Sequence, residues 1–235
     1  MRDFLPERPR ERPLERPLAG TLAEALQLRL REDIILGVLP PASKLKLEAL
    51  SRRYEVSINT MRETLSRLSA DGLVVAEGQK GFAVPPATAQ DLREITEMRQ
   101  LLECRALRDS IAHGDLDWEA RIVGAYHKLA RAEALVEADP EAHGEAWERG
   151  NREFHEALIS NCPSRWLRVY RATMYDHSRR YRMLSLKTQA FPRQQSAREH
   201  ERILRAALAR DAQTAERELA GHILKAAEFT GFVQL

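Results

Sequence analysis

The sequence has only two cysteines, no long apolar run and no excess of one charge. Cys104 and Cys162 match no metal-finger or CxxC spacing, so a disulfide framework is not expected. No apolar stretch approaches the ~20 residues of a membrane span, and the Pro- and Arg-rich start lacks the apolar core of a signal peptide. The 37 basic and 35 acidic residues nearly cancel, so any nucleic-acid binding must be local. These absences predict a cytoplasmic protein with reduced thiols.

Residues 1–20 are rich in proline and arginine. Prolines at positions 9, 13 and 17 forbid a continuous helix, which predicts a disordered tail. Glutamates at positions 7, 11 and 15 are each followed by arginine, and they cancel most of the attraction of the arginines for phosphate. A solvated tail is therefore favoured, and a DNA-contacting arm is the alternative.

Residues 21–86 are predicted to form three helices and a hairpin. The elements are a helix from Thr21 to about Gly37, a short helix around Leu47–Tyr54, a helix from Ser57 to Gly72, and β-prone runs at Leu73–Ala76 and Phe82–Val84. Thr21 and Glu24 have the spacing of a capping box, and Gly78 and Gly81 bound the turn between the β-prone runs. The pattern predicts one compact unit.

The third helix of this unit has an apolar and a polar side. Its apolar stripe, which we expect to pack inward, consists of Ile58, Met61, Leu65 and Leu68. The polar side carries Arg62, which can hold guanine, and Asn59, which can hold adenine. Segment 43–67 has six basic and three acidic residues, a local positive face. The candidate DNA-binding residues are Lys44, Lys46, Arg52, Arg53, Ser57, Asn59, Thr60, Arg62, Ser66, Arg67, Lys80 and Gly81. The alternative is that they are ordinary solvent-exposed residues.

Several motifs in this region resemble those of the GntR family of transcriptional regulators. They are SINTMRETL at 57–65, DGL at 71–73 and QKG at 79–81. The resemblance implies a winged helix-turn-helix, with Arg62 as the base-reading arginine and Gly81 as the glycine of the wing. Ile58 stands where the family often has a second arginine, and Thr60 stands where proline is common. We therefore expect an operator that differs from the usual half-site of the family.

Residues 87–235 are predicted to be helical throughout. Pro85 and Pro86 form a stiff boundary, and apolar residues then recur at helical spacing in six segments separated by short loops. The sequence thus predicts a mainly α protein: a winged helix-turn-helix at 21–86, followed by an antiparallel six-helix bundle at 87–235.

Three of the predicted helices direct a histidine inward. Asn151 and His155 lie four residues apart on one stripe, while His200 and His222 lie on the apolar faces of two later helices. Each histidine alone is more often a satisfied core residue than a ligand. Together they suggest a divalent transition-metal site, of zinc, nickel or manganese type, with Asn151, His155, His200 and His222 as ligands.

The segments around these residues resemble the FCD ligand domain of FadR-type GntR regulators, and six helices resemble the VanR-like subgroup. The resemblance implies a metal, held by an aspartate and three histidines, that helps to bind a carboxylate effector. Here Asn151 replaces the aspartate, so the metal ligands lack one negative charge. The resemblance also makes Arg99 a candidate for binding the effector carboxylate, the alternative being an ion-paired arginine. His177 and Tyr181, on one side of the fourth bundle helix, are further candidates for the effector pocket.

The sequence therefore predicts a homodimeric regulator, with a repressor favoured, that binds a palindromic operator and responds to a small organic acid. An alternative is a metal-dependent enzyme that uses His155, His200 and His222, although an obvious general base is missing. A third hypothesis is a protein-interaction module with a degenerate DNA-binding unit.

Overall fold

The computed structural model describes residues 21–78, 81–187 and 193–228, and the predicted tail at 1–20 lies outside them. The chain divides after Ala87 into two compact units, which we call the N-terminal unit and the C-terminal unit. Within the described residues both units are mainly helical, and the predicted fold class is confirmed. No helix among the described residues is long and apolar enough to cross a membrane.

In the N-terminal unit, residues 21–78 and 81–87 form three helices and a small antiparallel sheet. Its elements in chain order are α1 (Leu22–Ile35), β1 (Lys44–Leu45), α2 (Leu47–Arg53), α3 (Ile58–Ala70), β2 (Val75–Ala76) and β3 (Phe82–Ala83). The strand order is β1-β3-β2, so the predicted hairpin of β2 and β3 is extended by β1, which the sequence analysis missed.

Local signals place these helices. Thr21 and Glu24 form the predicted capping box at the start of α1. Met61, Leu65 and Leu68 of α3 are completely buried, together with leucines of α1, in the core of the unit. The prediction that Ile58 packs inward is wrong, because its side chain is 41% exposed. Ile58 is the first residue of α3 and begins the helix beyond the end of the core.

The described residues of the C-terminal unit form six helices. They are α4 (Ala89–His113), α5 (Leu116–Ala138), α6 (Pro140–Leu158), α7 (Arg165–Lys187), α8 (Arg193–Leu208) and α9 (Ala212–Glu228). Thr88, Asp115 and Asp139 cap the first three through their side chains. Helix α4 packs against α7 and α9, and α5 packs against α6 and α8.

The contact between α5 and α6 is close because Gly150 has no side chain. A Cβ at Gly150 would stand 3.3 Å from the Cα of Leu129, tighter than an ordinary van der Waals contact. The adjacent residue, Asn151, is thereby brought into the interior, where it is almost completely buried.

The two cysteines are free, and burial raises the pKa of the Cys104 thiol to about 12.

Candidate functional site

The start of α3 is organised by Ser57. Its hydroxyl accepts a hydrogen bond of 3.1 Å from the Thr60 N–H and lies 2.8 Å from the Thr60 hydroxyl. These contacts satisfy a backbone donor that the first turn of a helix would otherwise leave without a partner. Ser57 and Thr60 therefore fix the end of the helix, and neither hydroxyl is idle.

The exposed side of α3 carries the predicted base-reading residues. Asn59 and Arg62 are exposed, and Ser66 donates its hydroxyl hydrogen bond to the Arg62 carbonyl. The guanidinium of Arg67 pairs with Glu63 at 2.6 Å, so part of its charge is already neutralised. Asn59 and Arg62 consequently offer the amide and guanidinium chemistry that base edges require.

The predicted phosphate-contacting residues lie on other elements of the same unit. Lys44 begins the short strand β1, Lys46 follows that strand, and Arg52 and Arg53 end α2; all four side chains are exposed. Gly81 has φ +93°, a conformation that favours glycine, and its carbonyl accepts from the Glu77 N–H at 2.8 Å to close the hairpin. Lys80 lies outside the described residues.

Three histidines from α6, α8 and α9 meet in the core of the C-terminal unit. His155, His200 and His222 form a group, which we call the histidine cluster, whose potential ligand atoms all lie within 4.8 Å of one another. The ring centroids of His200 and His222 are 4.4 Å apart, and that of His155 lies 5.4 Å from His222. The convergence of three inward stripes was the expectation from the sequence.

Each imidazole of the histidine cluster is bonded to a glutamate. Nδ1 of His155 donates to Glu103 at 3.0 Å, that of His200 to Glu133 at 2.7 Å, and that of His222 to Glu199 at 3.0 Å. Since a carboxylate accepts, Nδ1 carries the proton in each ring and the lone pair is left on Nε2. Nε2 of His155 and Nε2 of His200 are buried without a partner among the described residues.

Burial favours the neutral form of two of these rings, those of His155 and His222. It lowers the pKa of His155 well below the usual range, and it lowers the pKa of His222 to about 4, with His200 nearby acting in the same direction. Burial opposes the ionisation of Glu103, but Arg99 and Arg171 nevertheless hold the pKa of that carboxyl well below its usual range. His155 and His222 thus present neutral imidazole to the cluster, and a carboxylate lies behind each ring.

Asn151 adds a fourth acceptor. Its Nδ2 donates to the Tyr175 hydroxyl at 2.9 Å, while its Oδ1 is buried without a hydrogen-bond partner in the described part of the chain. Buried polar atoms without partners are rare, and each calls for an explanation such as an ion. Three imidazole nitrogens and an amide oxygen are donors that a divalent transition metal accepts, so these residues fit the implied metal.

Arginines surround the same tyrosine. Arg99 is buried and donates to Glu103 at 2.7 Å, which is the ion-paired alternative, yet its guanidinium also lies 4.9 Å from the Tyr175 ring centre. Arg171, which the sequence analysis missed, lies 4.3 Å from that centre, and its Nε is buried without a hydrogen-bond partner among the described residues. A buried cation so placed can bind an anionic ligand.

The other two candidates for effector binding lie further along α7. The Tyr181 hydroxyl donates to Asp91 at 2.5 Å and accepts from the Thr88 N–H at 3.3 Å, so it contacts the start of α4. His177 is partly buried. The residues missed by the sequence analysis are Glu103, Glu133, Glu199, Arg171 and Tyr175. The spacing of Arg171 and Tyr175, four residues apart, was the available signal that they share a helix side.

Comparisons with known proteins match the N-terminal unit and the C-terminal unit to two different family models. Residues 22–84 match the model of the bacterial regulatory proteins of the gntR family, and residues 94–225 match that of the FCD domain. The uncharacterized HTH-type transcriptional regulator BphR of Paraburkholderia xenovorans is 42% identical over 200 residues, 85% of this chain and 81% of its own length.

A second relative and a solved structure extend the comparison. The HTH-type transcriptional repressor GlaR of Escherichia coli is 30% identical over 198 residues, 83% of this chain and 89% of its own length. The structure of E. coli McbR/YncC has a TM-score of 0.71 and 21% identity, covering 88% of this chain and 95% of that one, and it supports the fold. The VanR-like subgroup stays a prediction.

Proposed function

The chain belongs to the GntR family of bacterial transcriptional regulators and carries an FCD domain, and from this premise we propose that it is a repressor released from its operator by a small organic acid. The observation that carries the proposal is in the C-terminal unit. There, Oδ1 of Asn151 and Nε2 of His155 and His200 are buried without hydrogen-bond partners among the described residues, as expected for atoms that bind a ligand. The same chain has a unit of the GntR family that would bind DNA. GlaR is named a repressor, which favours the same sign of regulation here.

The proposed operator contact is made by α3. Asn59 and Arg62 would read base edges, with Ser66 beside them. Phosphate would be contacted by the hydroxyl groups of Ser57 and Thr60 and by the exposed side chains of Lys44, Lys46, Arg52 and Arg53. Lys80 and Gly81 of the hairpin are proposed as further contacts. Because operator DNA lies in the cytoplasm of a bacterium, a cytoplasmic location is part of this proposal.

The proposed ligand site is formed by the C-terminal unit. Asn151, His155, His200 and His222 would hold a divalent metal of zinc, nickel or manganese type, which when bound supplies a Lewis acid for a carboxylate oxygen. Arg171 and Arg99 carry positive charge beside Tyr175 and would attract the anionic effector. His177 and Tyr181 remain proposed effector residues on the same helix as Arg171.

We also propose that the protein is a homodimer. Helices α4 and α7, which pack together, both expose large apolar side chains: Met98, Leu101, Trp166, Val169 and Tyr170. Exposed apolar residues grouped in this way are typical of protein interfaces. Leu101→Glu should therefore give monomers in sedimentation velocity. Val123→Glu, at another exposed apolar position but on α5, should leave the dimer intact. Dimers of Leu101→Glu would count against this surface.

The function is tested by linking the two units in one experiment. An operator is first selected from random duplex DNA, and its affinity is then measured with single carboxylic acids, with and without added zinc. We expect an acid to weaken operator binding in the wild type, and to lose this effect in His200→Ala while operator affinity without acid is retained. Acids without effect on either protein, together with a purified protein free of metal, would contradict the proposal.

The enzyme hypothesis, in which the histidine cluster is catalytic, predicts turnover that is lost when His155 is replaced. The relatives BphR and GlaR are named transcriptional regulators, so we expect no turnover that depends on His155. Arg62→Ala should weaken duplex binding and relax its sequence preference, a result that a catalytic role of the histidine cluster does not explain.

A further inference from the structure

The three glutamates behind the histidine cluster are not equivalent. Glu103 also accepts from Arg99 at 2.7 Å, with Arg171 at 3.4 Å from its other oxygen. Glu199 also accepts from Lys225 and from Gln195, both at 3.1 Å. The negative charge of these two carboxylates is therefore shared with the cationic side chains of Arg99, Arg171 and Lys225.

Glu133 has a different environment. It accepts from His200 Nδ1 at 2.7 Å, the shortest of the three histidine–glutamate bonds, and its side chain is only 10% exposed. Within the described ranges, no Lys or Arg side chain pairs with Glu133. A nearly buried carboxylate without a Lys or Arg partner costs free energy that one hydrogen bond from an imidazole offsets only in part.

We infer that Glu133, acting through His200, supplies the negative charge that Asn151 leaves out of the metal ligands. The inference rests on the proposed metal site. Asn151 and three neutral imidazoles carry no charge, so a divalent cation would be neutralised only from outside them. A carboxylate that accepts from a ligating imidazole fixes the ring and raises the basicity of the opposite nitrogen. Glu133 is thus a positioning residue whose charge also matters.

The first test removes the charge and keeps the shape. Glu133→Gln retains an oxygen that accepts from His200, so any change in metal affinity reports mainly on charge. We expect zinc and nickel affinity, measured by competition with a chromophoric chelator, to fall by about tenfold to a hundredfold. Glu199→Gln is the matched control, because Lys225 already pairs with the Glu199 carboxylate. The loss of metal affinity in Glu199→Gln should be clearly smaller than that in Glu133→Gln.

The second test replaces the charge. Asn151→Asp should restore metal affinity in the Glu133→Gln background, and it should gain less in the wild-type background, where Glu133 already acts. A role of Glu133 that is only structural would not be rescued from position 151. Lys225→Met changes a half-exposed side chain, so folding should be kept, and it should raise metal affinity by releasing the charge of Glu199.

The outcomes separate this inference from the proposed metal site. Suppose first that the wild type binds metal and His200→Ala does not. The inference alone is then overturned if Glu133→Gln binds metal as tightly as the wild type, or if Glu133→Gln and Glu199→Gln lose equal affinity. It is likewise overturned if Asn151→Asp does not rescue Glu133→Gln, or if Lys225→Met does not gain affinity. If the wild type and His200→Ala both fail to bind zinc and nickel, the proposed metal site is wrong and the inference falls with it. Unfolding of the metal-free variants in urea checks that each is folded.

Discussion

In the N-terminal unit the polar side chains proposed to contact DNA lie on the surface, whereas in the C-terminal unit those proposed to bind a metal and an acid lie in the core. The N-terminal core is almost entirely apolar, with Asp33, Ser51 and Thr64 as its buried polar residues within the described range. Asp33 is satisfied there by Tyr54 at 2.5 Å and Arg29 at 3.3 Å. Stability and DNA contact thus depend mostly on different side chains, with Ser57 and Thr60 at the start of α3 as the exceptions.

The C-terminal core combines both tasks. Helix α7 alone buries four arginines, and three of them, Arg171, Arg179 and Arg182, pair with Glu103 or Glu148. A charge in such a core is costly unless it is paired, so each member of the network depends on its partners. Substitutions here should change stability and ligand binding together, while substitutions at exposed positions of α3 such as Arg62 should change DNA binding with little effect on stability.

The largest expected effect is that of Glu148→Ala. Arg182 donates to Glu148 at 2.8 and 3.0 Å, and the pair is buried, so removal of the carboxylate leaves a buried guanidinium without its counter-charge. We expect the free energy of unfolding to fall by about 3–5 kcal/mol. All three tryptophans lie in the C-terminal unit, so their fluorescence in urea follows that unit.

The control for this substitution is Glu153→Ala. Glu153 pairs with Lys128 at 3.0 Å on the surface of the same helix, where an ion pair contributes little, and we expect a change within about 0.5 kcal/mol. Equal effects of Glu148→Ala and Glu153→Ala would mean that the buried network does not stabilise the unit.

Tyr181→Phe tests which of two roles its hydroxyl has. The structure shows it donating to Asp91 and accepting from the Thr88 N–H, so its loss should lower the free energy of unfolding by about 1–2 kcal/mol. If Tyr181 instead serves mainly to bind the effector, the urea midpoint followed by tryptophan fluorescence will stay unchanged, while the acid-induced shift in operator affinity is lost. Tyr170→Phe, at an exposed position on the same helix, is the matched control.

Arg62→Ala sharpens the comparison from the side of the N-terminal unit. The exposed guanidinium is proposed to hold a base, so operator affinity should fall by about 1–3 kcal/mol, with relaxed preference at one base pair. Arg67→Ala should have a smaller effect because Glu63 already pairs with Arg67. Affinity is measured by fluorescence anisotropy at fixed salt. An Arg62→Ala protein that selects the same operator with the same affinity would show that Arg62 does not contact a base of the operator.

Much of this fold was predictable because its signals are local. Thr21, Ser57 and Thr88 start helices through contacts with residues three positions later, and such contacts are visible in the sequence. The meeting of His155, His200 and His222 was also predictable, since apolar stripes on neighbouring helices must face one core. Strand β1 was not, because two residues show no periodicity and its pairing partner lies almost 40 positions away.

The glutamates of the site were missed for a different physical reason. A glutamate in a helix is usually exposed, so Glu103, Glu133 and Glu199 gave no sign of burial. Their role depends on which histidine faces them across a helix pair, and Glu133 and His200 are separated by 67 positions. The error at Ile58 has a related origin: the stripe has the correct period, but it begins before the core does.

Ile58→Arg has the smallest expected effect on stability and tests that boundary directly. Because Ile58 is exposed at the first turn of α3, an arginine there should change the free energy of unfolding of the N-terminal unit by less than about 0.5 kcal/mol, followed by far-UV circular dichroism. Leu65→Ala, at a fully buried position of the same helix, should cost about 2–5 kcal/mol in the same measurement. If the added guanidinium reaches phosphate, the salt dependence of duplex binding should steepen by about one counterion. An Ile58→Arg protein as unstable as Leu65→Ala would show that the apolar stripe does extend to the first residue of α3.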